Sequence, residues 1–217
     1  MCIRDSRSGT SLMRHLLNDS TQIALCDETH YMGHLLPDAC MRRRFRDFAP
    51  LTDDANVRRL VEYMTSPGFM NYSRFKELGW QWQWIVETFP PERIERCVLE
   101  SDRTEPGVFD AFMKLVADHH GATVRGEKTP IHLRWVETLV EWYPRARVLH
   151  MIRDPRAVYV SDLKRRLEQK QRAPVYEVLR RLGPLFKLFM VVETVVLWRE
   201  SARRARRTEE RLSLIHI

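Results

Sequence analysis

Two segments decide the fold: Ala122-Thr123-Val124-Arg125-Gly126-Glu127-Lys128-Thr129-Pro130 and Arg147-Val148-Leu149-His150-Met151-Ile152-Arg153-Asp154-Pro155. Residues 122–125 read as a short strand that leads into Gly126, and residues 131–143 form an amphipathic helical pattern stopped by Pro144. Residues 147–152 are a nearly continuous apolar run, and a second helix opens after Arg153-Asp154-Pro155 and reaches about residue 170. Strand, helix, strand, helix with apolar strands is the pattern of a parallel sheet covered on both faces. The expected fold class is α/β, three layers with a parallel sheet, carrying a helical insertion at about residues 38–120.

Outward from that unit, the remaining elements announce themselves by caps and spacing. Residues 12–17 begin a short helix after a Gly-containing turn, ended by Asn18-Asp19-Ser20. Asp53 and Asp54 can cap a helix running to Met64, in which Val57, Leu60, Val61 and Met64 fall on one face. Residues 106–119 read as a helix stopped by Gly121, with Val108, Phe109, Phe112, Leu115 and Val116 inward, and residues 176–211 are helical in pattern. The most apolar stretch, 185–198, is shorter than the roughly 20 residues of a membrane span and contains Lys187 and Glu193, so a buried or amphipathic helix is expected and no span. The Arg-rich tail that follows is interrupted by Glu200, Glu209 and Glu210; a solvated helix face is expected there, and no nucleic-acid partner.

Composition sets the outer limits. The chain has 217 residues, 44% of them hydrophobic, with six Trp and nine Phe, which excludes a disordered class. Its formal net charge is +7. The two ends read as one DNA string in opposite orientations. Met1 to the start of Ser6 back-translates as ATGTGTATAAGAGACAG, whose reverse complement, CTGTCTCTTATACACAT, encodes Leu212-Ser213-Leu214-Ile215-His216-Ile217. That string resembles the transposase adaptor of sequencing libraries. The expectation is therefore a single domain over residues 6–211, truncated at both ends, with 1–5 and 212–217 adaptor-derived and outside fold reasoning. On this reading residues 1–6 are a poor substitute for a strand before the first loop. Cys26, Cys40 and Cys97 then remain, without metal-ligand spacing, so reduced thiols, no metal site and a cytoplasmic location are expected.

Two stretches carry chemistry. Arg7-Ser8-Gly9-Thr10-Ser11 stands immediately before a helix. Gly9 permits a tight turn, Thr10 and Ser11 offer hydroxyls, and the amides of a helix start form an anion cradle to which Arg7 adds a fixed positive fork. Simple capping is the alternative for this pentapeptide. Arg153 stands at the carboxyl end of the 147–152 strand, where ligands bind in open α/β sheets, and Ser161 lies two turns into the next helix. Pairing of Arg153 with Asp154 is the alternative there. The nucleotide-triphosphate loop Gly-x-x-x-x-Gly-Lys-Ser/Thr is absent.

Together, Arg7-Ser8-Gly9-Thr10-Ser11-Leu12 and Arg153-Asp154-Pro155-Arg156-Ala157-Val158-Tyr159-Val160-Ser161 resemble the two donor-phosphate motifs of sulfotransferases that use 3′-phosphoadenosine-5′-phosphosulfate (PAPS). The resemblance implies a three-layer P-loop-like fold, with Arg7, Ser8, Gly9, Thr10 and Ser11 on the 5′-phosphosulfate and Arg153 and Ser161 on the 3′-phosphate. Residues 7–30 and 127–164 are similar to the tyrosylprotein sulfotransferase branch and related bacterial proteins. Cys26-Asp27-Glu28-Thr29 resembles that branch's Cys-Gly-Glu-Glu-Thr with an offset at the Cys, which puts its catalytic Glu on Glu28. Lys128 in Glu127-Lys128-Thr129-Pro130 resembles the family lysine near the transferring group.

The implied reaction is transfer of a sulfuryl group to a hydroxyl-bearing acceptor, whether small molecule, sugar or peptide tyrosine, with no metal. Glu28 takes the acceptor proton, while Arg7 and Lys128 offset charge on the departing 5′-phosphate. His30 is a rival base, and His119 and His120 are weaker ones. Trp80, Trp82 and Trp84 line an acceptor pocket or pack in the core. A P-loop kinase-like phosphotransferase and a nucleotide-binding fragment without turnover stay open beside the sulfotransferase reading.

Overall fold

The computed structural model describes residues 2–3, 9–29, 31–32, 45–66, 80–168, 183–209 and 214–216. Among the described residues, five strands and eight helices follow in the order β1 (Cys2–Ile3), α1 (Thr10–Asn18), β2 (Ile23–Cys26), α2 (Asp54–Thr65), α3 (Trp80–Thr88), α4 (Pro91–Leu99), α5 (Glu105–His120), β3 (Val124–Glu127), α6 (Val136–Trp142), β4 (Val148–His150), α7 (Pro155–Glu168), α8 (Pro184–Glu209) and β5 (Leu214–His216). Short 3₁₀ turns cover Phe45–Phe48 and Pro130–Trp135. Every strand pairing is parallel: β2 with β3, and β4 with β1 on one side and β5 on the other. The chain is thus α/β with parallel strands, as expected.

Residues 2–3 form a two-residue strand ahead of the first loop, and Leu214–His216 pairs along the other edge of β4. A ladder is made by backbone N–H and C=O groups, so short segments of modest sequence suffice to cover the edges of a three-residue strand.

The helices follow their caps. Asp53 accepts from the Ala55 amide at 2.8 Å at the start of α2, Thr104 accepts from Gly107 N–H at the start of α5, and Gly121 ends α5 with φ 64°. Val57, Leu60, Val61 and Met64 of α2 are buried, as are Val108, Phe109, Phe112, Leu115 and Val116 of α5. These helices and α4 belong to the segment between β2 and β3, so the expected insertion supplies the main apolar core, joined by Leu51, Ile85, Phe89, Ile94 and Val98. Tyr31 and Met32, just beyond β2, are buried in that same core. Tyr31 stacks on Phe109 at 4.5 Å between ring centroids and donates its hydroxyl to Glu105 O at 2.7 Å.

Three boundaries differ from the sequence reading. The third strand is Val124–Glu127, not 122–125, because its register with β2 places Cys26 opposite Glu127. The helix expected over 131–143 is 3₁₀ in its first half, with Pro130 at its start and the His132 amide donating to Thr129 O at 3.0 Å. The apolar run at 147–152 is extended only over Val148–His150. Residues 185–198 lie within α8, where Phe186, Met190 and Thr194 are buried while Leu185, Leu188 and Val192 are exposed. Among the described residues, no helix is long and apolar enough to cross a membrane.

Phe112 is 1% exposed at the centre of this core. Phe112→Ala should lower unfolding free energy by about 3–5 kcal/mol, measured by urea denaturation at unchanged slope; a loss below about 1 kcal/mol would contradict the placement of the core in the insertion.

Candidate active site

β2 and β3 run side by side and end together, so the residues immediately after them emerge at one place. The Lys128 amide continues the ladder by donating to Cys26 O at 2.9 Å. Strand alternation sends neighbouring side chains to opposite sides, and Glu127 and Lys128 part in this way. Lys128, 2% exposed, directs Nζ to Glu28 Oε1 at 2.6 Å and to Asp27 Oδ1 at 2.7 Å. Asp27 Oδ1 also accepts from the Glu28 amide at 2.9 Å, and Asp27 Oδ2 lies 3.4 Å from Arg14 Nη2 on α1. Arg14, Asp27, Lys128 and Glu28 therefore form a chain of alternating charge. Asp27 and Glu28 keep 26% and 35% exposure, so the chain opens to solvent on the carboxylate side.

Glu127 turns the other way and is fully buried. Its Oε2 accepts from the hydroxyls of Thr29 at 2.9 Å and Thr129 at 2.5 Å, and its Oε1 lies 2.5 Å from His132 Nδ1. The Met32 amide donates to His132 Nε2 at 3.1 Å, which puts the ring proton on Nδ1, pointing at Glu127. Burial alone would push the Glu127 carboxyl up; the His132 ring and the donated hydrogen bonds outweigh it and hold the group below the usual carboxylate range.

The first expected anion site is described from Gly9 onward; Arg7 and Ser8 lie outside the described residues, as does His30. Gly9 is the N-cap of α1, at φ 88°, and provides no side-chain acceptor for the helix amides. No acidic residue stands in the first turn. First-turn amides that receive no cap from Gly9 and face no carboxylate of their own turn suit an anion. Thr10 is buried and Ser11 exposed. At the other end of α1, Asn18 pairs with the edge of β2 like a neighbouring strand, donating Nδ2 to Leu25 O at 3.1 Å and accepting Leu25 N–H at 2.8 Å. This clamp ties the loop-bearing helix to the strand that carries Glu28.

Arg153 follows β4, is exposed, and offers its carbonyl to Trp198 Nε1 at 3.1 Å. Asp154 takes Arg156 instead: both carboxylate oxygens face that guanidinium, at 2.5–3.1 Å, and the side-chain and backbone bonds from Arg156 hold the Asp154 carboxyl at about 2. Ser161 is half-buried on α7. His119 and His120 end α5, where they meet Trp84 ring to ring, and Trp84 also packs edge-on against Phe89. Trp84 is therefore core packing, while the side chains of Trp80 and Trp82 lie outside the description. Cys26 is buried, which pushes its thiol well up, and half-burial does the same to Cys97. Among the described residues no group of three or more His, Cys, Asp and Glu is arranged to hold a metal ion.

Sequence reading brought forward Glu28 and Lys128 but missed Asp27, Arg14 and the Glu127, Thr29, Thr129 and His132 set. The signal available was adjacency: four of the six flank Glu28 or Lys128 directly.

The shared exit of two parallel strands thus carries a buried ammonium between two carboxylates. The sulfotransferase family model matches residues 6–212, and the chain belongs to the sulfotransferase family. Its class of activity is accordingly that of a transferase moving a sulfuryl group. No curated protein matches the chain.

A carboxyl held low in the folded state contributes stability that is complete above its unfolded value, about 4.3 for Glu, and is lost as pH falls through the lower folded value. Melting temperature should therefore drop more steeply below about pH 4.3 in the wild type than in Glu127→Gln. Parallel profiles would contradict the role assigned to the network.

Proposed function

We propose that the protein transfers a sulfuryl group from PAPS to the hydroxyl of an acceptor, with Glu28 as the base. The observation that supports this reading best is the 2.6 Å contact between Lys128 Nζ and Glu28 Oε1 at the shared end of two parallel strands. A base and a cation for the leaving group must stand within reach of one another at such a centre.

The donor supplies an activated sulfuryl group on a phosphate oxygen. Arg7 and the segment Ser8 to Ser11 hold its 5′ end at the start of α1, and Arg153 with Ser161 takes the 3′-phosphate. Glu28 orients the acceptor hydroxyl and accepts its proton as the acceptor oxygen bonds to sulfur. The bond from sulfur to the phosphate oxygen breaks, and its electron pair stays on that oxygen, beside Arg7 and Lys128. As Glu28 takes up the proton it loses its charge and its grip on Lys128 weakens, which releases the ammonium toward the departing phosphate. Asp27 stays paired with the ammonium as it turns.

Calorimetry with adenosine 3′,5′-bisphosphate tests the donor class, and tighter binding of Mg²⁺–ATP would overturn it. Glu28→Gln should leave bisphosphate affinity nearly intact while sulfuryl transfer to a phenolic or sugar hydroxyl falls by about 10²-fold or more; unchanged transfer would move the base elsewhere. Arg153→Ala should weaken bisphosphate binding by about tenfold or more with little effect on adenosine 5′-monophosphate. An equal loss for both nucleotides would remove Arg153 from the 3′-phosphate.

A further inference from the structure

We propose that Glu127 is a positioning residue: from inside the protein it fixes the spacing of Glu28 and Lys128 and meets no reactant. Its consequence for turnover rests on the sulfotransferase reading, while the spacing itself does not.

Glu127 has no exposed surface, so neither donor nor acceptor reaches it. Both of its oxygens are engaged, and the partners come from both strand exits: Thr29 from the β2 side, Thr129 and His132 from the β3 side. Two further bonds close the mesh. The Thr29 amide donates to Thr129 Oγ1 at 3.0 Å, and the Met32 amide to His132 Nε2 at 3.1 Å. Glu28 is thereby strung between Cys26, fixed in its ladder, and Thr29, fixed in the mesh. Lys128 is strung between Glu127 and Thr129, two members of the mesh.

Burying a carboxylate is expensive unless every lone pair finds a donor. An apolar pair would hold two strands together as well, but it would tolerate sliding. A carboxylate with directed bonds to both exits permits one register. That register sets the Glu28 to Lys128 contact at 2.6 Å, and a displacement of about 1 Å at a reacting centre lowers rate by about 10²-fold. The insertion core feeds into the same mesh, since Tyr31 and Met32 are buried there and the His132 ring meets Phe109 edge-on at 6.1 Å.

The test is pulse acetylation of the full chain with acetic anhydride, without donor, reading Lys128 against the exposed Lys114 by mass spectrometry. Glu127→Gln should raise the relative labelling of Lys128 by about tenfold. Thr129→Val, which removes one hydroxyl at nearly constant shape, should do the same if the first variant folds poorly, and Thr129→Ser should restore wild-type protection. A core substitution such as Val57→Ala, matched in melting temperature, should not raise it. Unchanged Lys128 labelling in both variants, or an equal rise in the matched core variant, would overturn the proposal. In the transfer assay, adding Glu127→Gln to Glu28→Gln should cause no further loss of kcat, whereas independent multiplication of the two losses would count against it. Because labelling needs no donor, its failure bears on Glu127 alone, while absence of transfer in the wild type bears on the sulfotransferase reading.

Discussion

A lysine ammonium with 2% exposure is the constraint around which the rest of this site is arranged. Removing such an ion from water is worth several kcal/mol against folding unless opposite charge meets it. Lys128 is met twice, by Asp27 and Glu28, and Asp27 is met in turn by Arg14. The carboxylate side of this chain stays open to water.

Bringing these groups together requires pairing residues that are 100 positions apart in the chain. A parallel β2–β3 ladder does this, with α5 and α1 packed against β2. Among the described residues, the insertion between the two strands contributes no group to the charged chain. It supplies the apolar core that buries Tyr31 and Met32 and so anchors the segment leaving β2. The same scaffold starts α1 at Gly9, which has no side chain to cap it, and ties the other end to β2 through Asn18. α1 and the exit of β2 are thus held together.

What could be read from the sequence was whatever depends on neighbours along the chain. The cap at Asp53, the stop at Gly121 and the inward faces of α2 and α5 are local features, and they match the structure. Strand limits were less legible, because Gly126 and Glu127 look like turn residues until β2 is beside them. The 3₁₀ start at Pro130–Trp135 was hidden for a related reason: the turn that presents His132 to Glu127 is favoured by a contact that period-based reading does not see. Asp154 was legible as a partner for an arginine, but that arginine is Arg156. Glu28 and Lys128 came from motif likeness alone, and only the fold shows that they touch.

The account is tested most directly by the position of the nucleotide in a crystal of this protein with adenosine 3′,5′-bisphosphate. Its 5′-phosphate should lie against the first turn of α1 and within hydrogen-bond reach of Lys128 Nζ, with the Lys128 to Glu28 contact lengthened. A 5′-phosphate bound away from Lys128, with the Asp27, Lys128 and Glu28 chain undisturbed, would contradict it.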